Sequence, residues 1–118
     1  MGGGYRVVHF VEDDGSDPIE EFLDSVKRDP KQWAIVNDGI TRLSNVGLQL
    51  CQTNAAKEFD IRNKLFELTK GNYRVVFHAN NYLFTLLHGF EKHSKKTLRS
   101  DKTIVYDRLE KITGEKRK

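Results

Sequence analysis

"IRNKLFELTKGNYRVVFHANNYLFTLLHGF", residues 61 to 90, decides the fold. It holds three runs, "IRNKLFELT", "YRVVFHA" and "YLFTLLHGF", rich in the β-branched and aromatic residues that suit a pleated, half-buried surface. Lys70-Gly71-Asn72 and Asn80-Asn81 separate them. Gly and Asn reach the backbone conformations of a tight reversal at little steric cost, so the stretch predicts an antiparallel meander. Strand alternation within "YRVVF" puts Tyr73, Val75 and Phe77 on one face and Arg74, Val76 and His78 on the other. On the preceding run Lys64 and Phe66 share a face, and Glu67 points opposite to both.

Upstream, "YRVVHFV" at residues 5 to 11 reads as a first strand closed by the polar "EDDGSD". Pro18 follows Asp17 where a first helical position is expected, and Ile19, Phe22, Leu23 and Val26 recur at helical spacing. A second Asp-Pro pair, Asp29-Pro30, opens another helix, with Trp33, Val36, Ile40, Leu43 and Val46 as its stripe and Gly47 as its end. Leu48 to Asp60 shows no period and is expected to be a loop or arm. Downstream, Thr97 is expected to cap a third helix, in which Leu98, Asp101, Val105, Leu109 and Ile112 fall on one side. The predicted order is β-α-α-β-β-β-α. This is an α+β fold, with a small, mainly antiparallel sheet and the helices packed on one face of it.

A chain of 118 residues with 37% hydrophobic and 31% charged content suits one domain across residues 1–118, with 1–4 as a flexible leader and 114–118 as a basic tail. No apolar run approaches the roughly 20 residues that cross a bilayer, so no membrane partner is expected and a cytoplasmic location is. The single cysteine, Cys51, cannot form an internal disulfide and reads as a bystander. Charge is uneven along the chain. Residues 1–59 carry six Lys/Arg against ten Asp/Glu, a net of −4, whereas residues 60–118 carry fourteen against seven, a net of +7. A basic half favours a polyanionic partner, because nucleic-acid affinity rests largely on neutralising phosphates.

Several enzyme classes lack their parts. There is no G-x-x-x-x-G-K-[ST] loop, no G-x-G-x-x-G, no H-E-x-x-H and no Cys-His ligand set, and His9, His78, His88 and His93 are scattered; no cofactor and no metal are expected. Glu20-Glu21 and Asp13-Asp14 sit at a helix start and a turn, where dipole and solvent account for them. What remains is basic: Arg74 and His78 on one strand face, and His88, Lys92, His93, Ser94, Lys95 and Lys96 at the end of the last strand. Each alone has an ordinary explanation as a salt-bridged strand residue or a solvated turn. Together they describe a basic rim able to hold an RNA backbone, with a guanidinium to stabilise charge on a phosphorane.

The strand ending in "FEL", the "YRV" after the turn, the "LLHGFEK" strand and the closing "KKT" resemble, in order and separation, the phage-derived HigB-like branch of the RelE superfamily, toxins of type II toxin–antitoxin systems. The resemblance spans residues 60 to 112. It implies a RelE-like fold and a metal-independent mRNA interferase, often acting on ribosome-bound message and neutralised by a cognate antitoxin, here expected to be a helix-turn-helix protein, with the toxin alone a monomer. In such enzymes the 2′-hydroxyl attacks the adjacent phosphate. By the same resemblance Arg74 corresponds to the phosphate-binding strand arginine, Lys92 to the basic residue ending the last strand, and Lys95 and Lys96 to the "KKT" lysines. His93 is the favoured proton-transfer group, since imidazole titrates near neutrality. His78 and His88 are its reserves and, with Lys64, Lys95, Lys96 and Arg99, the expected RNA contacts. The chain departs from the family where RelE members carry lysines, at Leu65 and Glu67, and where Leu98 replaces a proline and Lys102 an apolar residue. Two alternatives stay open: a catalytically silent protein of the same fold that binds antitoxin or nucleic acid, and a phage-derived regulatory protein.

Overall fold

The computed structural model describes residues 4–92 and 96–114. Strand β1 (Arg6–His9) leads into helix α1 (Pro18–Val26) and helix α2 (Pro30–Val46). Asp17 and Asp29 open the two helices as the paired Asp-Pro signals predict, each side chain accepting a backbone N–H three residues on, from Glu20 and Gln32. Gly47 ends α2 at φ 60°, a conformation that favours glycine. Its missing side chain also makes room, since a Cβ there would lie 2.5 Å from the Tyr5 ring. The buried residues of α2 are Gln32, Val36, Gly39 and Leu43, so the inward stripe is rotated from the predicted one and leaves Val46 exposed.

The segment expected to be a loop contains most of a two-turn 3₁₀ segment (Gly47–Gln52) and an additional strand, β2 (Ala56–Asp60). Only Ala56 of that strand is buried. An edge strand with Lys57, Glu58 and Asp60 has little apolar alternation to betray it, and its charges protect the open edge. The run expected as one strand from Ile61 is also divided. Ile61–Asn63 is a 3₁₀ turn, Lys64 adopts a left-handed φ of 58°, and β3 covers only Leu65–Leu68. Strands β4 (Tyr73–Asn80) and β5 (Leu83–Glu91) complete the meander, and helix α3 (Arg99–Thr113) follows.

The sheet order is β1-β5-β4-β3-β2. β1 lies parallel to β5, and every other neighbour is antiparallel. The chain thus leaves one edge at β1, crosses a face as α1 and α2, and returns strand by strand from the far edge. The molecule is α+β, with three helices on a five-stranded, mostly antiparallel sheet.

The helices do not share one face. Ile19, Leu23, Val26, Val36 and Leu43 of α1 and α2 pack on Phe66, Val75, Phe77, Phe84 and Leu86. Val105 and Leu109 of α3 pack with Phe10 on Leu65, Val76 and Leu87, on the opposite side. The physical reason is that β3, β4 and β5 are apolar on both faces, and two apolar faces need two covers. Nor does Thr97 cap α3: Leu98 holds that position, and no side chain caps the helix.

A bulge in β5 sets the geometry of the second face. Val76 pairs with His88 but Phe77 pairs with Leu86, so Leu87 is the extra residue. Strict alternation would send His88 and Phe90 to the α1–α2 side. The bulge instead keeps Leu87 and turns His88 and Phe90 toward α3, while Gly89 faces Phe22 of α1.

Candidate functional site

The β3–β4 turn is where the site begins. Gly71 has φ 74°, and a Cβ on it would come within 2.7 Å of Gln32 Oε1. That oxygen accepts the Asn72 backbone N–H at 2.8 Å, so α2 holds the turn from below. Asn72 in turn accepts the backbone N–H of Lys92 at 2.9 Å, which fixes the end of β5 beside it. On this base Arg74 folds back: its Nη1 donates to the carbonyls of Gly71 at 2.9 Å and Tyr73 at 3.0 Å. Among the described residues no carboxylate pairs with the guanidinium, and its buried Nε has no partner. The guanidinium is positioned by neutral carbonyls.

Glu67 faces the same side of the sheet, opposite Val76 and therefore diagonal to Arg74. It is 1% exposed, with Oε1 3.3 Å from the Lys57 ammonium and Oε2 unpartnered. A buried carboxylate with half its acceptors unmet is costly unless something approaches it.

His88 is turned inward. Its Nε2 lies 2.8 Å from Asp101 Oδ1 and its Nδ1 3.5 Å from Arg108 Nη1, and the ring stacks on Phe90 at 5.4 Å. A guanidinium only donates, so Nδ1 accepts and the Nε2 proton goes to Asp101. Arg108 also donates to the Leu87 carbonyl at 2.7 Å, where the bulge frees that oxygen. Burial, with a smaller contribution from Arg108, holds the imidazole below its ordinary value against the opposing pull of Asp101. His88, expected as an RNA contact, also joins the sheet to α3 through Asp101 and Arg108.

His78 and Lys64 stand elsewhere. His78 is four residues from Arg74 along β4, roughly 13 Å at strand rise. It pairs with Leu65 and Thr85 and is kept below its ordinary value by burial and then by the Lys64 charge. The cations therefore form two groups: Arg74, Lys92 and the start of α3 at one end of the sheet, Lys64 and His78 at the other. Lys92 is half-buried, Lys96 is exposed, and exposed Arg99 is the first residue of α3. A cation there opposes the helix dipole by a few tenths of a kcal/mol, a cost that stability alone does not explain. His93 and Lys95 lie outside the described residues.

Gln32, Asp101 and Arg108 belong to this arrangement and were not singled out in the sequence. Asp101 had a signal: a carboxylate in line with Val105 and Leu109 on a helix face implies a buried partner. Gln32 had none, because its partner is 40 residues away. A third cluster, His9, Asp17 and Glu20, brings one imidazole and two carboxylates within 4.8 Å. His9 Nδ1 is 2.9 Å from Asp17 Oδ2, and the other Asp17 oxygen caps α1, so helix capping accounts for the grouping. Searches against known protein families and against characterised proteins find no match to this chain.

Proposed function

We propose that the chain is the toxin of a type II toxin–antitoxin system, a cytoplasmic endoribonuclease of RelE-like fold that cleaves ribosome-bound message without a metal and is silenced by a cognate antitoxin. The observation that carries this reading is Arg74. A guanidinium anchored by two carbonyls, without a carboxylate partner among the described residues, is preorganised for a phosphate. Lys92 beside it and Arg99 and Lys96 at the start of α3 extend the positive rim along which RNA would lie.

In this mechanism Arg74 binds the scissile phosphate and stabilises the charge that accumulates as the 2′-hydroxyl loses its proton and attacks, while the P–O5′ bond breaks and the departing 5′-oxygen is protonated. Lys92 supports the same phosphate, and His93 is the proton-transfer group. Preorganised donors of this kind are worth about 10²–10³ in rate each. Arg74→Ala is therefore expected to relieve growth arrest on induced expression and to remove new 5′ ends from message in primer extension, while the melting temperature stays within a few degrees of wild type. Undiminished toxicity in that variant overturns the reading.

A second reading, a catalytically silent protein that binds antitoxin or RNA, is favoured by Glu67. Where RelE enzymes place a lysine this chain buries a carboxylate tied to Lys57. Primer extension separates the two readings, since a binding module leaves no new 5′ ends.

A further inference from the structure

A cleft of ≈ 990 Å³ lies away from Arg74. It opens at the opposite end of the sheet, between the last turns of α3 and the β2–β3 connection. The β2–β3 connection and β4 contribute Asp60, Arg62, Lys64 and His78; α3 contributes Tyr106 and Glu110. Leu83, Leu109 and Ile112 give it an apolar lining, and Leu83 and Ile112 remain more than a third exposed. We infer that this cleft is a binding site for a nucleoside phosphate, its phosphoryl group held by Arg62, Lys64 and His78 and its sugar and base by the α3 wall.

Three observations support the assignment. The cations of the β2–β3 connection are unspent: among the described residues neither Arg62 nor Lys64 forms an ion pair with a carboxylate. Asp60, two residues before Arg62, is already engaged, its Oδ2 accepting the Tyr106 hydroxyl at 2.5 Å and the Asn63 amide at 2.7 Å. Those bonds hold its carboxyl below the usual range, so it is ionised and fixed in place.

The second observation is backbone geometry. Lys64 sits at φ 58°, ψ 39°, a left-handed conformation that a long side chain rarely adopts and that costs of the order of 1 kcal/mol. Gly or Asn would fill that turn with less strain, yet a lysine occupies it, with its charge felt by the imidazole of His78. The third is the mixed lining. A bare anion would use only the cations, whereas a nucleotide has a phosphate for them and a sugar and flat base for the apolar lining and the Tyr106 ring. The volume is in the range of small-ligand sites.

This inference does not rest on the toxin reading, because Arg74 contributes nothing to the cleft. The phosphate could be that of a free nucleotide or one along an RNA strand, and the experiment distinguishes them. Full-length protein is titrated with 5′-AMP, with adenosine and with a short single-stranded RNA, and the His78 imidazole is followed by NMR across pH. The charged and titratable groups facing it are Lys64, Arg62, Asp60, Glu110 and Tyr106. Bound phosphate raises the pKa of His78; adenosine leaves it unmoved. Saturation by AMP identifies a free nucleotide as a sufficient ligand, and saturation by RNA alone identifies the strand. Either ligand is expected to bind at least tenfold more weakly to the double variant Arg62→Ala/Lys64→Asn, in which asparagine tolerates the left-handed backbone, and several-fold more weakly to Arg62→Ala alone. Arg74→Ala is expected to leave AMP binding unchanged. No saturation by AMP or RNA, equal binding of adenosine and AMP, or undiminished affinity in folded Arg62→Ala/Lys64→Asn would each overturn the inference.

Discussion

A histidine packed between an aspartate and an arginine titrates according to which neighbour prevails, and at His88 burial and Arg108 outweigh Asp101. The folded chain therefore holds that proton less tightly than the unfolded chain. Between the ordinary value of 6.5 and the lower folded value the unfolded state binds more protons, so stability is complete above about pH 6.5 and declines as the pH falls through that interval. His78 acts in the same direction. The carboxylates of Asp14, Asp17 and Asp60, all held below 3.8, lose their contributions only in stronger acid. Urea denaturation at pH 7.5 and 5.5 should show wild type less stable at the lower pH and His88→Asn with a smaller difference between the two. The variant loses stability at both pH values, so the difference is the informative quantity, and an unchanged difference would refute the protonation argument.

At the scale of elements, the contact of α1 with β5 depends on a missing side chain. A Cβ on Gly89 would stand 2.3 Å from two carbons of the Phe22 ring. That ring cannot easily retreat, because its other side meets Tyr73 edge to face at 5.8 Å. Gly89→Ala should cost about 1–3 kcal/mol, measured by chemical denaturation, because the strand or the helix must move to accommodate it. Phe22→Leu in the same background should recover part of the loss. The helices α1 and α2 were readable because their Asp-Pro starts and apolar spacing act within a few residues. β2 was not, since an edge strand of "AKEFD" composition becomes a strand only by pairing with β3. The β5 bulge was equally hidden. "LFTLLHGF" reads as plain alternation, and the extra residue at Leu87 is set by what β4 and α3 require.

Across the whole molecule the two halves divide the work by charge. The acidic first half supplies β1, α1 and α2 and covers one face; the basic second half supplies β3, β4, β5 and α3. If the basic half lies along RNA, association should weaken with salt, with log K falling by roughly 0.7 per phosphate neutralised for each decade of salt. Arg74→Ala should reduce that slope by about one contact. Fluorescence anisotropy between 50 and 200 mM salt checks this, and a flat salt dependence would argue against a phosphate-bound partner. Among the described residues no helix is long and apolar enough to cross a membrane.

Features whose causes are local follow from the order of residues alone. The two Asp-Pro helix starts, Gly47 and Gly71 at positive φ, the meander of "LFEL", "YRVVFHAN" and "LFTLLHGFE", and the shared face of Arg74 and His78 all follow from interactions a few residues long. Tertiary structure alone decided the rest, because the deciding contacts join distant parts of the chain. It set the parallel pairing of β1 with β5, placed α3 on the face opposite α1 and α2, and used Gln32 to hold a turn 40 residues away. It also drew His88 beneath α3, where Asp101 and Arg108 occupy it, and opened the Lys64–His78 cleft at the opposite end of the sheet from Arg74. Residue type announces that a group can carry charge. Which other groups it faces depends on strand register and helix docking, and those are settled only when both faces of the sheet are covered.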